Sequence, residues 1–136
     1  MPDNVVLDSS VIAAIFFKEK ASERAEKVAE KYRLITVDVA VPEVANVAWK
    51  RIVNFNEPEE ITKTALKACI NFIATVCKVI PSQTLLEASF EIAVRDRITI
   101  FDSLFIAASE KEKVPLLTMD KKLYNNLCEK RNVKLV

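Results

Sequence analysis

The sequence predicts an α/β domain with a mostly parallel central sheet and helices on both faces. Short apolar segments that read as strands alternate with segments in which apolar residues recur at helical spacing. Successive parallel strands need a crossover between them, usually a helix, so this alternation favours a parallel sheet. The length of 136 residues suits one compact domain, which we predict to cover residues 1–136.

The predicted strands are short apolar runs bounded by acids, prolines or polar turns. The run from Val5 to Asp8, which ends in an acid, is typical of a buried strand. Similar runs lie at 34–37, 76–80, 115–118 and 132–136.

Helices are predicted between these strands. Asp8 or Ser9 can cap the first of them, and Pro42, a favoured residue of a first helical turn, opens the third. A long helix follows the punctuating segment 56–60, and ITIF leads to Asp102 at the start of a later one. The other helices are expected at about 9–17, 21–32, 42–53, 83–95, 103–113 and 121–130.

Two absent residue types exclude several classes of site. The chain contains no histidine, which excludes Ser-His-Asp and Cys-His catalysis and histidine-rich zinc sites. It contains no glycine, which excludes a P-loop and a glycine-rich dinucleotide loop. Cys69, Cys77 and Cys128 form no CxxC pair, so we interpret them as ordinary reduced thiols. Carboxylates, hydroxyls and lysines remain as the groups able to do chemistry.

Four acids stand where predicted strands end or helices begin. Asp8 follows the first strand, Asp120 follows LLTM, Asp102 follows ITIF, and Glu43 lies in the first turn after Pro42. Ligands bind beyond the carboxyl ends of the strands in open α/β sheets, so we expect all four acids on the binding edge. Each acid alone could equally cap a helix or complement its dipole.

Together, the four carboxylates would suit a hard divalent cation. Each is flanked by apolar residues, and close approach would raise and couple their pKa values. Mg²⁺ or Mn²⁺ would relieve that repulsion, since both ions prefer oxygen ligands. One or two such ions could polarise a phosphoryl oxygen and lower the pKa of a bound water, so hydrolysis of a phosphodiester would need no histidine.

The segments that carry these acids resemble a known family. They are VVLDSSVIAAIF, VPEVANVAWK, IFDSLFIAAS and PLLTMDKKL, and they span almost the whole chain. In order and mutual spacing they resemble the PIN domains, in particular the VapC-type toxins of toxin–antitoxin systems. The resemblance implies a PIN-like three-layer α/β/α sandwich and cleavage of single-stranded RNA with Mg²⁺ or Mn²⁺. It also implies a homodimer that is inhibited by a small antitoxin protein.

The resemblance assigns roles by position. Ser10 matches a polar residue that supports the metal site, and Thr118 is a second candidate for that task. The chain departs from the family before the third acid, where His-Gly is common and Asp96-Arg97-Ile98 stands here. We expect Asp96 to be solvated or to cap a helix. The catalytic and metal-binding quartet corresponds to Asp8, Glu43, Asp102 and Asp120.

Basic residues near the acids are candidates for contact with RNA. The net charge is only +1, but 20 basic residues face 15 acids once the four proposed site acids are set aside. Phosphate contacts would supply salt-sensitive affinity, although a solvated helix face explains these charges equally well. The predicted RNA-binding residues are Lys50, Arg51, Arg95, Arg97, Lys121 and Lys122.

Aromatic and hydroxyl side chains near the acids are given structural roles. Trp49 and Phe55 could stack on bases, but we favour a core or dimer contact for both. Phe16 and Phe17 are expected in the core or on a partner surface. Ser9 and Ser103 are interpreted as helix caps, because no base is present to activate either hydroxyl.

The sequence also predicts a cytoplasmic protein. No apolar run approaches the roughly 20 residues that span a bilayer. The opening MPDNVVLD lacks the basic start of a signal peptide.

Two functions other than a ribonuclease are compatible with an acid at the end of a strand. A receiver-like signalling domain usually carries paired acids after its first strand and Lys-Pro after its last, whereas Asp8 stands alone and Val114-Pro115 lacks the lysine. A non-catalytic PIN-like module that binds RNA or protein is the closer alternative. The presence of all four acids disfavours it.

Overall fold

A five-stranded parallel sheet forms the centre of the molecule. The structure is a computed structural model that describes residues 3–136. The strand order is β3-β2-β1-β4-β5, and every neighbouring pair is parallel, which confirms the predicted sheet. The strands are β1 (Asn4–Leu7), β2 (Arg33–Val37), β3 (Lys78–Ile80), β4 (Leu116–Thr118) and β5 (Val133–Leu135).

Helices cover both faces of this sheet. α1 packs on β1 and β4 and contacts the next three helices, while α6 packs on β1 and β2 and contacts α5. This arrangement is the predicted three-layer sandwich. A single 3₁₀ turn (Ser82–Thr84) precedes α5. The helices are α1 (Ser9–Phe16), α2 (Ser22–Lys31), α3 (Ala40–Val53), α4 (Glu59–Thr75), α5 (Leu86–Asp96), α6 (Ile100–Glu112) and α7 (Lys121–Leu127).

Two helices that carry candidate acids begin earlier than predicted. α3 begins at Ala40, so Pro42 is the third residue of the helix. The missing N–H of proline costs no intrahelical hydrogen bond there, because the first four N–H groups of a helix have no acceptor within it. α6 begins at Ile100, so ITIF is not wholly outside the helix, and Asp102 lies inside the first turn. The hydroxyl of Thr99 fixes that start by accepting a hydrogen bond from the Asp102 N–H at 3.2 Å.

The cap assignments for Ser9 and Ser103 are wrong. Asp8 caps α1, because its carboxylate accepts from the N–H groups of Ser10 and Val11. Ser103 is buried inside α6, and its hydroxyl donates to the Ile100 carbonyl at 2.8 Å.

Smaller boundary differences occur where apolar sequence continues past an element. β3 begins at Lys78 rather than residue 76, because Val76 still belongs to the end of α4. The helix predicted at 83–95 begins at Leu86, after the 3₁₀ turn. The last helix ends at Leu127 rather than residue 130.

The core lies on both sides of the central strand. Val5, Val6 and Leu7 of β1 are at most 1% exposed. Phe17 is buried, and the half-buried Phe16 packs edge-to-face on a ring of α4, as predicted for a core pair. None of the helices within residues 3–136 is long and apolar enough to cross a bilayer.

The predicted core contact for Trp49 and Phe55 is wrong. Their exposed fractions are 54% and 70%. Ala48 and Val44 carry the buried face of α3 and leave Trp49 pointing outward, while Phe55 lies beyond the end of that helix. The predicted dimer contact for these residues stays a prediction.

The cysteine side chains are free thiols. Cys69 and Cys77 are buried, and Cys128 is half-buried. Burial raises the pKa of Cys69 to about 12 and that of Cys77 to about 11, so neither thiol ionises near neutral pH.

Candidate active site

The carboxyl ends of β1 and β4 bring Asp8 beside Thr118. Leu7 of β1 is in register with Leu117 of β4, so the next residue of each strand meets the other at the sheet edge. The Thr118 hydroxyl donates to Oδ2 of Asp8 at 2.5 Å. This side-chain hydrogen bond joins two residues that are 110 positions apart in sequence.

Asp8 is buried and held by several donors. Its Oδ1 accepts from the N–H of Ser10 at 3.1 Å, from the Ser10 hydroxyl at 2.5 Å, and from the N–H of Val11 at 3.3 Å. Burial raises the pKa of Asp8 to about 6, the hydrogen bonds oppose that rise, and the negative charge of Asp102 adds to it. Asp8 is thus a fixed carboxylate that is charged only at a cost.

The two hydroxyls that hold Asp8 also fix the turn that carries Asp120. The Ser10 hydroxyl accepts from the N–H of Met119 at 3.0 Å, and Thr118 Oγ1 accepts from the N–H of Asp120 at 3.0 Å. The structure therefore brings both predicted supporting residues, Ser10 and Thr118, into contact with Asp8.

Glu43 reaches the same edge from the first turn of α3. Burial raises its pKa, a hydrogen bond with the Ser9 side chain lowers it, and the charges of Asp102 and Asp8 raise it further. Its Oε1 is buried and accepts no hydrogen bond within residues 3–136. A buried carboxylate oxygen without a partner is costly, and ligand sites are one reason for such an atom to persist.

Asp102 and Asp120 complete the acidic edge from α6 and α7. Burial raises the pKa of Asp102, and the charge of Asp120 raises it further, while a hydrogen bond with the Thr99 side chain lowers it. Asp120 is exposed, and its Oδ1 caps α7 by accepting from the N–H of Leu123 at 3.0 Å. Capping and proximity to the other acids therefore coexist at Asp120, as they do at Asp8.

The charge of Asp102 raises the pKa of both Asp8 and Glu43, and the charge of Asp120 raises that of Asp102, so electrostatic repulsion links the four acids. None of the ion pairs formed by residues 3–136 includes Asp8, Glu43, Asp102 or Asp120. An all-oxygen donor set with an unpartnered buried oxygen fits Mg²⁺ or Mn²⁺. In the same range, no three Asp, Glu, Cys or His side chains already stand close enough to ligate an ion. Binding would therefore require the carboxylates to turn inward or to use water as the remaining ligand.

A cleft of 430 Å³ opens beside two of the acids. Thr99 and Asn126 in its wall were missed by sequence reasoning. Thr99 is detectable from the Thr-x-x-Asp pattern of a capped helix start, whereas Asn126 has only its four-residue spacing from Lys122 on α7. The polar side chains that line the cleft are Arg97, Thr99, Asp102, Asp120, Lys122 and Asn126.

The model of the PIN domain family matches residues 5–127. The chain belongs to the PIN domain family. A relative that shows the same membership is Ribonuclease VapC3 of Pyrobaculum aerophilum, which is 33% identical over 120 residues, 88% of this chain and 91% of the relative.

Solved structures share the PIN domain fold. PAE2754 from Pyrobaculum aerophilum superposes with a TM-score of 0.72 at 20% identity, over 96% of this chain and 83% of the other. VapC20 of Mycobacterium tuberculosis, a sarcin-ricin loop cleaving toxin, gives 0.68 at 18% identity, over 93% and 95%. A toxin–antitoxin complex from Klebsiella pneumoniae gives 0.64 at 16% identity, over 96% and 95%.

The six basic residues predicted near the PIN domain acids differ in their surroundings. Arg97 and Lys122 line the cleft with Asp102 and Asp120. Arg51 instead pairs with carboxylates, at 2.9 Å from Glu57 and 3.4 Å from Glu19. The remaining three do not line that cleft: Lys50 and Lys121 are exposed, and Arg95 lies in a shallow pocket on α5.

Asp96 is neither solvated nor a cap in this PIN domain, so that prediction is wrong. Its side chain is 3% exposed and pairs with Arg131, whose Nε lies 3.0 Å from Asp96 Oδ2. The partner is 35 residues away in sequence, so no local pattern indicates it.

Proposed function

We propose that this PIN domain is a divalent-metal-dependent endoribonuclease that cleaves single-stranded RNA and acts as the toxin of a toxin–antitoxin pair. The observation that carries the proposal is a set of buried or half-buried carboxylates that form no ion pair within residues 3–136, beside an open cleft. The relative VapC3, a ribonuclease, supports the reaction class. We take residues 1–136 as one domain and place it in the cytoplasm.

Asp8 and Asp102 would hold the main Mg²⁺ or Mn²⁺ ion. Glu43 would use its unpartnered Oε1, and Asp120 the oxygen that does not cap α7. A bound ion would polarise the phosphodiester and lower the pKa of an attacking water.

The chain's own residues would orient these groups. Ser10 and Thr118 hold Asp8 in one position, and through backbone contacts they keep the Asp120 turn against it. Such supporting hydrogen bonds typically contribute 10–100-fold in metal affinity or activity. Glu43 and Asp120 reach the sheet edge from the starts of two different helices. Either carboxylate would orient the attacking water.

A second copy of the chain and a small antitoxin protein are the proposed partners. The toxin–antitoxin complexes among the structural neighbours support an antitoxin. Two exposed apolar surfaces are available for these contacts, one formed by Leu86, Phe90 and Val94 on α5 and the other by Trp49 and Val53 on α3. Exposed patches of this kind often mark protein interfaces.

The test of this function compares the two acids at opposite ends of β1. Wild type with Mn²⁺ is expected to cleave a labelled single-stranded RNA, and EDTA should stop it. Asp8→Asn should lower the cleavage rate by at least about 100-fold, since a metal ligand contributes several kcal/mol. Asp3→Asn is the matched control, because Asp3 is exposed and precedes β1 at the opposite edge of the sheet.

Two results would overturn the proposed function. Asp8→Asn could retain wild-type activity at equal metal concentration, which would return Asp8 to helix capping. Alternatively, wild type could bind RNA with Mn²⁺ present and leave it intact, which would indicate a non-catalytic binding module.

A further inference from the structure

Two basic side chains, Arg97 and Lys122, line the cleft beside the acids. Within residues 3–136, neither Arg97 nor Lys122 takes part in an ion pair, although both line the cleft that holds Asp102 and Asp120. Arg131, by contrast, forms ion pairs with both Asp96 and Glu110. Unpaired guanidinium and ammonium groups at the rim of a cleft are suited to bind a phosphate.

An amide and apolar side chains complete the wall of this cleft. Lys122 and Asn126 are four residues apart on α7 and therefore share one face of the helix. The Asn126 amide both donates and accepts hydrogen bonds, which allows it to read the edge of an unpaired base. Ile98 and Leu123 add apolar surface to the same wall. A volume of 430 Å³ is in the range of pockets for small ligands.

We propose that Arg97, Lys122 and Asn126 form a nucleotide subsite next to the acids. Arg97 and Lys122 bind the phosphate of the nucleotide that adjoins the scissile bond, and Asn126 contacts its base. The inference rests on the proposed function for its ligand, RNA, but it concerns binding and not the chemical step. These three are positioning residues, and they favour a strand whose bases are free to enter the cleft.

The backbone conformation at Arg97 allows its charge to be removed without strain. Arg97 ends α5 in the left-handed region, with φ 55° and ψ 47°. Lys113 ends α6 in the same conformation, with φ 58° and ψ 44°, and lies in a different pocket near the start of β1. Glycine adopts this conformation without the penalty of a Cβ atom. Arg97→Gly and Lys113→Gly therefore remove one charge each without straining the fold.

The experiment measures binding of a fluorescein-labelled single-stranded 2′-O-methyl RNA octamer by anisotropy, in EDTA so that no cleavage occurs. Arg97→Gly and Lys122→Gln should each weaken binding about 5–20-fold in low salt. Each should also reduce the slope of log K against log salt by about 0.7, the value for one lost phosphate contact on a single strand. Lys113→Gly should bind within about twofold of wild type, and thermal unfolding should show both glycine variants folded.

The base contact has its own readout. Asn126→Ala should change the ratio of affinities among octamers of different sequence and leave the salt slope unchanged, because an amide carries no charge. Equal binding by Arg97→Gly and Lys113→Gly, together with metal-dependent cleavage by wild type, would overturn the subsite and leave the proposed function standing. Selective loss of binding in Arg97→Gly without cleavage by wild type would support the subsite and overturn the nuclease.

Discussion

Two groups of carboxylates in this molecule, Asp96 with Glu110 and Asp8 with Glu43, Asp102 and Asp120, are balanced in opposite ways. Asp96 shares Arg131 with Glu110, whose Oε2 lies 2.7 Å from the Arg131 guanidinium. The hydrogen bond to Asp96 is the main reason that the pKa of Arg131 is raised. Asp8 is also buried, yet its partners are hydroxyls and backbone N–H groups, and its pKa rises to about 6.

The difference shows what distinguishes a structural carboxylate from a candidate catalytic one in this fold. Each group includes one deeply buried aspartate, Asp96 or Asp8. The groups differ in the counterion, because Asp96 has the cation Arg131 beside it, while Asp8 depends on a proton or an external cation. Perturbed acids at the edge where a fold binds ligands are functional-site candidates for this reason.

The largest expected contrast lies within α6, which contributes one acid to each group. Asp102→Asn should lower the rate of RNA cleavage by roughly 10²–10³-fold, because it removes a proposed metal ligand. Glu110→Gln is the matched variant and should retain cleavage within about twofold. Equal rates for the two variants in a saturating Mn²⁺ assay would remove the distinction between the groups.

The second contrast is in stability. Arg131→Gln leaves the buried Asp96 carboxylate without its cation and should lower the free energy of unfolding by about 3 kcal/mol. Cleavage per folded molecule should be unchanged. Urea unfolding followed by circular dichroism provides the measurement, and a loss below about 1 kcal/mol would show that the Asp96 pair is not a structural element of the core.

A third prediction concerns pH. The pKa of Asp8 is about 6 in the folded state and 3.8 ordinarily, so the folded state binds the proton more tightly. The contribution of Asp8 to the free energy of unfolding is therefore largest below its unfolded pKa of 3.8, and it is lost as the pH rises through about 6. Lowering the pH from 7.5 to 5 should therefore stabilise the metal-free protein by about 1.4 kcal/mol. Burial of Glu43 and Asp102 acts in the same direction.

The control for this pH dependence is Asp8→Asn. That variant cannot titrate at position 8, so its unfolding midpoint should change less between pH 5 and 7.5 than that of wild type. A wild-type protein that loses stability on acidification over this range would contradict the assigned burial of Asp8.

The sequence was informative where short-range patterns carry the structure. Parallel strands buried on both faces are recognisable as apolar runs, and a residue that follows such a run must lie at the sheet edge, which explains the prediction for Asp8. The Asp96–Arg131 pair was not predictable, because the side chains meet only through the packing of the folded chain. The early start of α6 was missed because Ile100 and Phe101 are as compatible with a strand as with a helix.

The smallest expected effect concerns the hydroxyls that hold Asp8. Ser10→Ala removes one hydrogen bond to Asp8 and leaves the N–H of Met119 without its acceptor. Cleavage at limiting Mn²⁺ should fall about 10-fold, because a less firmly held Asp8 binds the ion more weakly. Ser82→Ala, on the 3₁₀ turn, is the control. If added Mn²⁺ does not restore part of the lost rate, Ser10 acts on something other than the metal site.

Calorimetric titration of Mn²⁺ into wild type, Asp102→Asn and Glu110→Gln tests the central claim most directly. Because no ion pair within residues 3–136 includes Asp8, Glu43 or Asp102, wild type and Glu110→Gln should bind the ion, and Asp102→Asn should bind it at least about 10-fold more weakly. Failure of folded wild type to bind Mn²⁺, or equal binding by all three proteins, would contradict the claim that these acids form a metal site.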